Sequence, residues 1–164
     1  MAYALESMLR IRAMREDRAA TGLAAARREV ARAQAALAMR RSDLADFESA
    51  KEARRDRIFE AVMGRAVSMD DLDLARSGVS RIDEEGILKA DNVVQAEAEL
   101  RKCRDNAEAS RRAFVSASRE RMKIAEHRAI WEAEAAAEAE FRQESELEDF
   151  TGKKVADDAE SGWS

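Results

Sequence analysis

A chain of 164 residues has room for one domain, yet 38% of it is charged, only 5% is aromatic and none of it is proline. About a fifth is Ala, with Glu and Arg next, a composition of long helices that excludes a mixed α/β fold and a large globular core. The net charge of −5 is split, with 14 Lys/Arg against 10 Asp/Glu in residues 1–65 and 15 against 24 in residues 66–164, and the arginines alternate with acids. That pattern speaks against nucleic-acid binding, which needs a basic stripe.

The first periodic segment runs through Leu5, Leu9, Arg12, Glu16, Ala19, Leu23, Ala26, Val30, Ala33, Leu37, Arg40, Leu44, Phe47, Lys51, Arg54, Ile58 and Ala61. Steps of three and four alternate, so the repeat averages 3.5 residues and keeps one narrow stripe facing a partner helix. This predicts helix 1 over about residues 3–63, roughly 90 Å at 1.5 Å per residue. The start of the chain, MAYALESMLRIRAMRED, has no apolar run of the kind a secretory leader carries. Off the seam there, Met8, Ile11 and Met14 sit beside Arg10, Arg12, Arg15 and Arg18, a candidate contact surface of adaptable apolar side chains and directed cations.

Gly64 then ends the pattern, and Ser68-Met69-Asp70-Asp71 reads as a helix N-cap with acids in the first turn. A connection of only 64–68 leaves the second helix no course but to double back. Ile58, Phe59, Val62, Met63, Val67, Met69 and Leu72 make the densest apolar cluster in the chain, and it falls at this turn. Some of it caps the hairpin, and Phe59, Val62, Met63, Val67, Met69 and Leu72 are candidates for a partner contact.

The second segment continues the same alternation from Leu72 through Ala75, Val79, Ile82, Gly86, Lys89, Val93, Ala96, Leu100, Cys103, Ala107, Ser110, Phe114, Ala117, Arg121, Ile124, Arg128 and Trp131 to Arg142. Helix 2 is expected over about 69–150, with a tail lacking order over 151–164. Folding about the turn pairs seam residues whose numbers sum to about 133, so Phe47 faces Gly86, Leu37 faces Ala96 and Leu100 faces Ala33. Large meets small, as interdigitating helices require. The fold class read from the residues is therefore all-α: two long helices forming an antiparallel coiled-coil hairpin, monomeric when isolated. Helix 2 should outrun helix 1 by roughly 20 residues.

Acid-first pairs four apart, Glu6/Arg10, Glu85/Lys89, Glu97/Arg101, Glu108/Arg112 and Glu138/Arg142, are expected to link neighbouring turns along solvated faces. Cys103 lies on the seam as a small packing residue and excludes an internal disulfide, in keeping with a reducing cytoplasm. Neither a phosphate-cradling glycine loop nor a Ser/His/Asp set is present, and His127 with Glu126 and Glu132 lacks the company of a metal site. The expectation is no catalysis, no cofactor, no metal and no membrane insertion.

These segments together resemble the YscO stalk proteins of type III secretion systems, the counterparts of flagellar FliJ. The resemblance is carried by Leu9-Arg10-Ile11-Arg12 with Arg15-Glu16-Asp17-Arg18-Ala19, by Arg57-Ile58-Phe59, and by Met69-Asp70-Asp71-Leu72 and Ile82-Asp83-Glu84-Glu85. Later come Ala117-Ser118-Arg119-Glu120-Arg121-Met122-Lys123 and the acidic Glu144-Ser145-Glu146-Leu147-Glu148-Asp149-Phe150. It implies a cytoplasmic hairpin like the coiled coil of the rotary-ATPase gamma subunit, peripheral to the inner membrane. Met8, Arg10, Ile11, Arg12, Arg15 and Arg18 would enter the ring of the hexameric export ATPase, and the turn would reach the export-gate membrane protein. The alternative it implies is an escort hairpin that binds secretion chaperones without coupling to the ATPase.

Overall fold

The computed structural model describes residues 3–161, and side chains over 3–147. Among these residues the fold is all-helical: α1, Glu6–Val62, and α2, Met69–Ser161, pack against each other as the expected hairpin of two long helices. The chain divides into two units, one made of Ala19–Ala113 and the other of Met1–Arg18 with Phe114–Ser164. The first contains the turn and is called the turn unit; the second is the terminal unit.

In the turn unit the seam is where the repeat put it. Leu23, Leu37, Phe47, Ile82 and Leu100 are buried, and Ala26, Val30, Ala33, Leu44, Val79, Val93, Ala96 and Cys103 are half-buried between them. Phe47, 5% exposed, lies so close to Gly86 that a Cβ there would stand 2.9 Å from its Cε1. The glycine thus has a packing reason, and the expected Phe47–Gly86 pairing sets the register. Gly78 plays the same part for Ile58, whose Cδ1 would be 3.1 Å from an added Cβ. Arg54 and Lys89 place their cations 5.5 and 6.0 Å from the Phe47 ring centroid, so the ring is closed in by charged side chains as well as by the seam.

The turn follows from its residues. Gly64 takes φ +76°, the left-handed conformation that ends a helix, after Met63 N–H has donated to the Phe59 carbonyl. Ser68 then caps α2: its Oγ accepts from Asp71 N–H at 3.2 Å, while Asp71 Oδ2 accepts from Ser68 N–H at 3.1 Å. This reciprocal pair satisfies two amide donors at the helix start and holds the Asp71 carboxyl below its ordinary range.

In the terminal unit, α1 begins about one turn later than the periodicity predicts. Tyr3 precedes α1 and accepts the Glu6 amide through its carbonyl. Its ring is 8% exposed, packed at tilted angles on His127 and Trp131 with centroids 5.8 and 5.5 Å away. Beyond Trp131 the residues of α2 from Glu132 to Leu147 are all exposed, including Ala135, Glu138 and Arg142, since α1 has no residues left to lay against them. The helix continues to Ser161 rather than stopping near 150. Lys153-Lys154-Val155-Ala156 contain no helix breaker, so the single Gly152 costs only about 1 kcal/mol. Within the expected tail, 151–164, side chains and the final residues 162–164 lie outside those described.

Ion pairing departs from the expectation in an instructive way. Glu108 with Arg112 and Glu138 with Arg142 do pair along α2, at 3.3 and 3.4 Å. Glu6, Glu85 and Glu97 instead reach the facing helix, at Arg128 (3.0 Å), Arg54 (2.8 Å) and Arg41 (2.7 Å). These acids flank the seam, where a cross-helix partner is as near as the next turn.

Candidate functional surfaces

The first candidate surface lies in the terminal unit. Met8, Ile11 and Met14 are 43–51% exposed, as the off-seam reading requires. Spacings of three and four put Met8, Ile11, Arg15 and Arg18 in one stripe along α1. Arg10, Arg15 and Arg18 are exposed and form no ion pair among the described residues. Arg12 is different. It is a seam residue, 27% exposed at its side chain, and its guanidinium is paired with Glu120 of α2. The heptad repeat places it on the seam, and grouping it with the arginines of the contact surface set that position aside.

Two more cross-helix contacts fix this surface. Arg121 reaches Glu16 at 2.6 Å, and its hydrogen bond lowers the Glu16 carboxyl below its ordinary range while raising the guanidinium. The Tyr3 hydroxyl lies 2.8 Å from His127 Nδ1 and 3.5 Å from the Ile124 carbonyl. His127 is thus engaged inside the hairpin by the Tyr3 hydroxyl, and among the described residues no group of three Cys, His, Asp or Glu side chains could hold a metal ion.

The second surface lies around the turn. Phe59, Met63 and Met69 are 48%, 74% and 72% exposed, and Val62 and Val67 are half-buried. Leu72, assigned to the seam as its first residue, is 38% exposed, because the position it would face, Ala61, is itself exposed and too small to cover it. Leu74, absent from the sequence-based set, is 71% exposed. It lines a groove of about 400 Å³ together with Ile58, Val62, Arg57, Arg65 and Arg81. Gly78, also in the lining, is where Ile58 packs close against the backbone of α2.

Cys103 is half-buried against Glu99, and burial first, then that carboxylate, pushes its thiol above the ordinary value. It takes its place on the seam as a small packing side chain. No helix among the described residues is long and apolar enough to cross a membrane.

Compared with known proteins, residues 5–153 match the family model of type III secretion protein YscO. No curated protein and no solved structure matches the chain. A match over that span shows the family: the chain belongs to the YscO family and is a type III secretion component.

Proposed function

We propose that this member of the YscO family is the non-enzymatic stalk of the export apparatus, coupling the hexameric export ATPase to the inner-membrane export gate from the cytoplasmic side. The observation that carries the reading is the stripe of Met8, Ile11, Arg15 and Arg18, with Arg10 beside it. These arginines are solvent-exposed and make no ion pair among the described residues, so fold stability gives little reason for them. A partner presenting carboxylates around an apolar lining gives a reason, since Arg makes directed two-point bonds and Met adapts its shape. The central opening of the ATPase ring is that partner. The apolar turn surface, in a unit of its own, then serves the export gate.

The test is the triple substitution Arg10→Glu, Arg15→Glu, Arg18→Glu. Arg12 is left alone, because a glutamate there would oppose Glu120 and weaken the helix pair itself. Helicity and melting temperature should stay close to wild type while ATPase association, stimulation of ATP hydrolysis and secretion are lost. A well-folded triple variant that still binds the ATPase and supports secretion overturns the assignment. Chaperone binding by the wild-type chain with no effect on ATP hydrolysis would replace coupling by the escort role.

A further inference from the structure

The groove in the turn unit has a chemistry more specific than exposed apolar area. Three arginines line it, Arg57, Arg65 and Arg81, against one carboxylate, Asp71. That carboxylate is already occupied, accepting from the Ser68 amide and hydroxyl at 3.1 and 3.0 Å. Arg57 and Arg81 have no ion-pair partner among the described residues, and Arg65 has only its long-range attraction to Asp71. A chain of net charge −5 therefore concentrates unpaired positive charge around one apolar groove. Ile58 and Val62 are half-buried there and Leu74 stands 71% exposed, so apolar contact is available without rearrangement.

We infer that this groove docks an acidic amphipathic helix of a partner protein, whose Leu or Phe side chains settle on Ile58, Val62 and Leu74 while its carboxylates pair with Arg57, Arg65 and Arg81. The volume of about 400 Å³ accommodates two or three such apolar side chains. Helix-in-groove recognition needs apolar anchors at one-turn spacing, and acids on the flanks of the same helix fall beside the arginines. The partner is selected by sign: a basic helix with the same anchors meets three like charges. The inference rests on the turn being a partner surface in the proposed function and names the chemistry of what it receives.

The test uses the full chain and a synthetic 16-residue helical peptide with Leu at every third or fourth position and Glu on the flanks, beside a version with Lys in place of Glu. The Glu peptide should bind with an affinity that falls as salt rises, and Arg57→Glu with Arg81→Glu should weaken it about tenfold or more. Leu74→Asp should weaken it comparably, and its 71% exposure lets the fold tolerate the change. Equal binding of the Lys peptide, or no binding of the Glu peptide up to about 1 mM, overturns the inference. So does a concentration-dependent dimer of the free chain that Leu74→Asp dissolves, which would give the groove to a second copy. Retained ATPase stimulation alongside absent peptide binding would sink the groove's assignment and leave the stalk reading standing.

Discussion

The two units are built from the same pair of helices and are held together differently. Among the described residues, of six buried apolar side chains five (Leu23, Leu37, Phe47, Ile82 and Leu100) belong to the turn unit and one, Tyr3, to the terminal unit. Burial of one large apolar side chain stabilises by about 1.5–3 kcal/mol, whereas an exposed ion pair contributes about 0–1. The terminal unit, tied by Arg12–Glu120, Glu16–Arg121, Glu6–Arg128, the Tyr3 cluster and half-buried Leu5, Leu9, Phe114 and Ile124, should therefore open first. Amides of residues 6–18 and 114–131 should exchange with solvent faster than those flanking Phe47 and Gly86. Equal protection in both stretches would erase the distinction.

The largest effect should come from Phe47→Ala, which empties the tightest contact of the turn unit and should cost about 3 kcal/mol in a denaturant titration. A loss under 1 kcal/mol would mean that the seam, and not this ring, holds the unit. Gly86→Ala comes next. Better helix propensity returns up to about 1 kcal/mol, but a methyl 2.9 Å from a ring that is 5% exposed should cost more than it returns, for a net loss of about 1 kcal/mol. A raised melting temperature would show that the ring moves aside.

Acid sharpens the comparison on the other side. The Glu16 carboxyl is lowered by Arg121 in the terminal unit, as Glu85 is by Arg54 and Glu108 by Arg111 in the turn unit. A carboxyl lowered in the folded state stabilises it fully above the unfolded value of about 4.3, and that contribution is lost as pH falls through the lowered value. Melting temperature should therefore hold from pH 7 to about 5 and drop below about 4, with resonances of residues 6–18 broadening before those near Phe47. Smallest is Tyr3→Phe, which removes the hydroxyl beside His127 and should cost about 0.5 kcal/mol, read as faster exchange confined to the terminal unit.

Heptad spacing made the helix pair legible, down to Phe47 on Gly86, because both the stripe and its register follow from positions of large and small residues alone. The same repeat put Arg12 on the seam, where it pairs with Glu120, and the contact surface read from the residue types should have left it out. Tyr3 was read as the beginning of α1, whereas it folds under α1 onto Trp131 and His127, a contact between residues far apart in the chain that no local pattern encodes. Leu74 and the three arginines around it went unseen for a related reason: a groove is a property of the space two helices leave, which no local pattern encodes.

Gly64 decides more than the end of α1. A side chain there would meet nothing within 4 Å, so substitution is opposed by backbone chirality alone, at φ +76°. The same L-residue would be comfortable in an unbroken helix running straight from α1 into α2. Any residue other than glycine at this position thus penalises the closed turn and not the open one, and shifts the balance toward two chains exchanging helices in a swapped dimer. Size-exclusion chromatography of Gly64→Ala should accordingly show more dimer than wild type, and an unchanged profile would leave the turn indifferent to this residue.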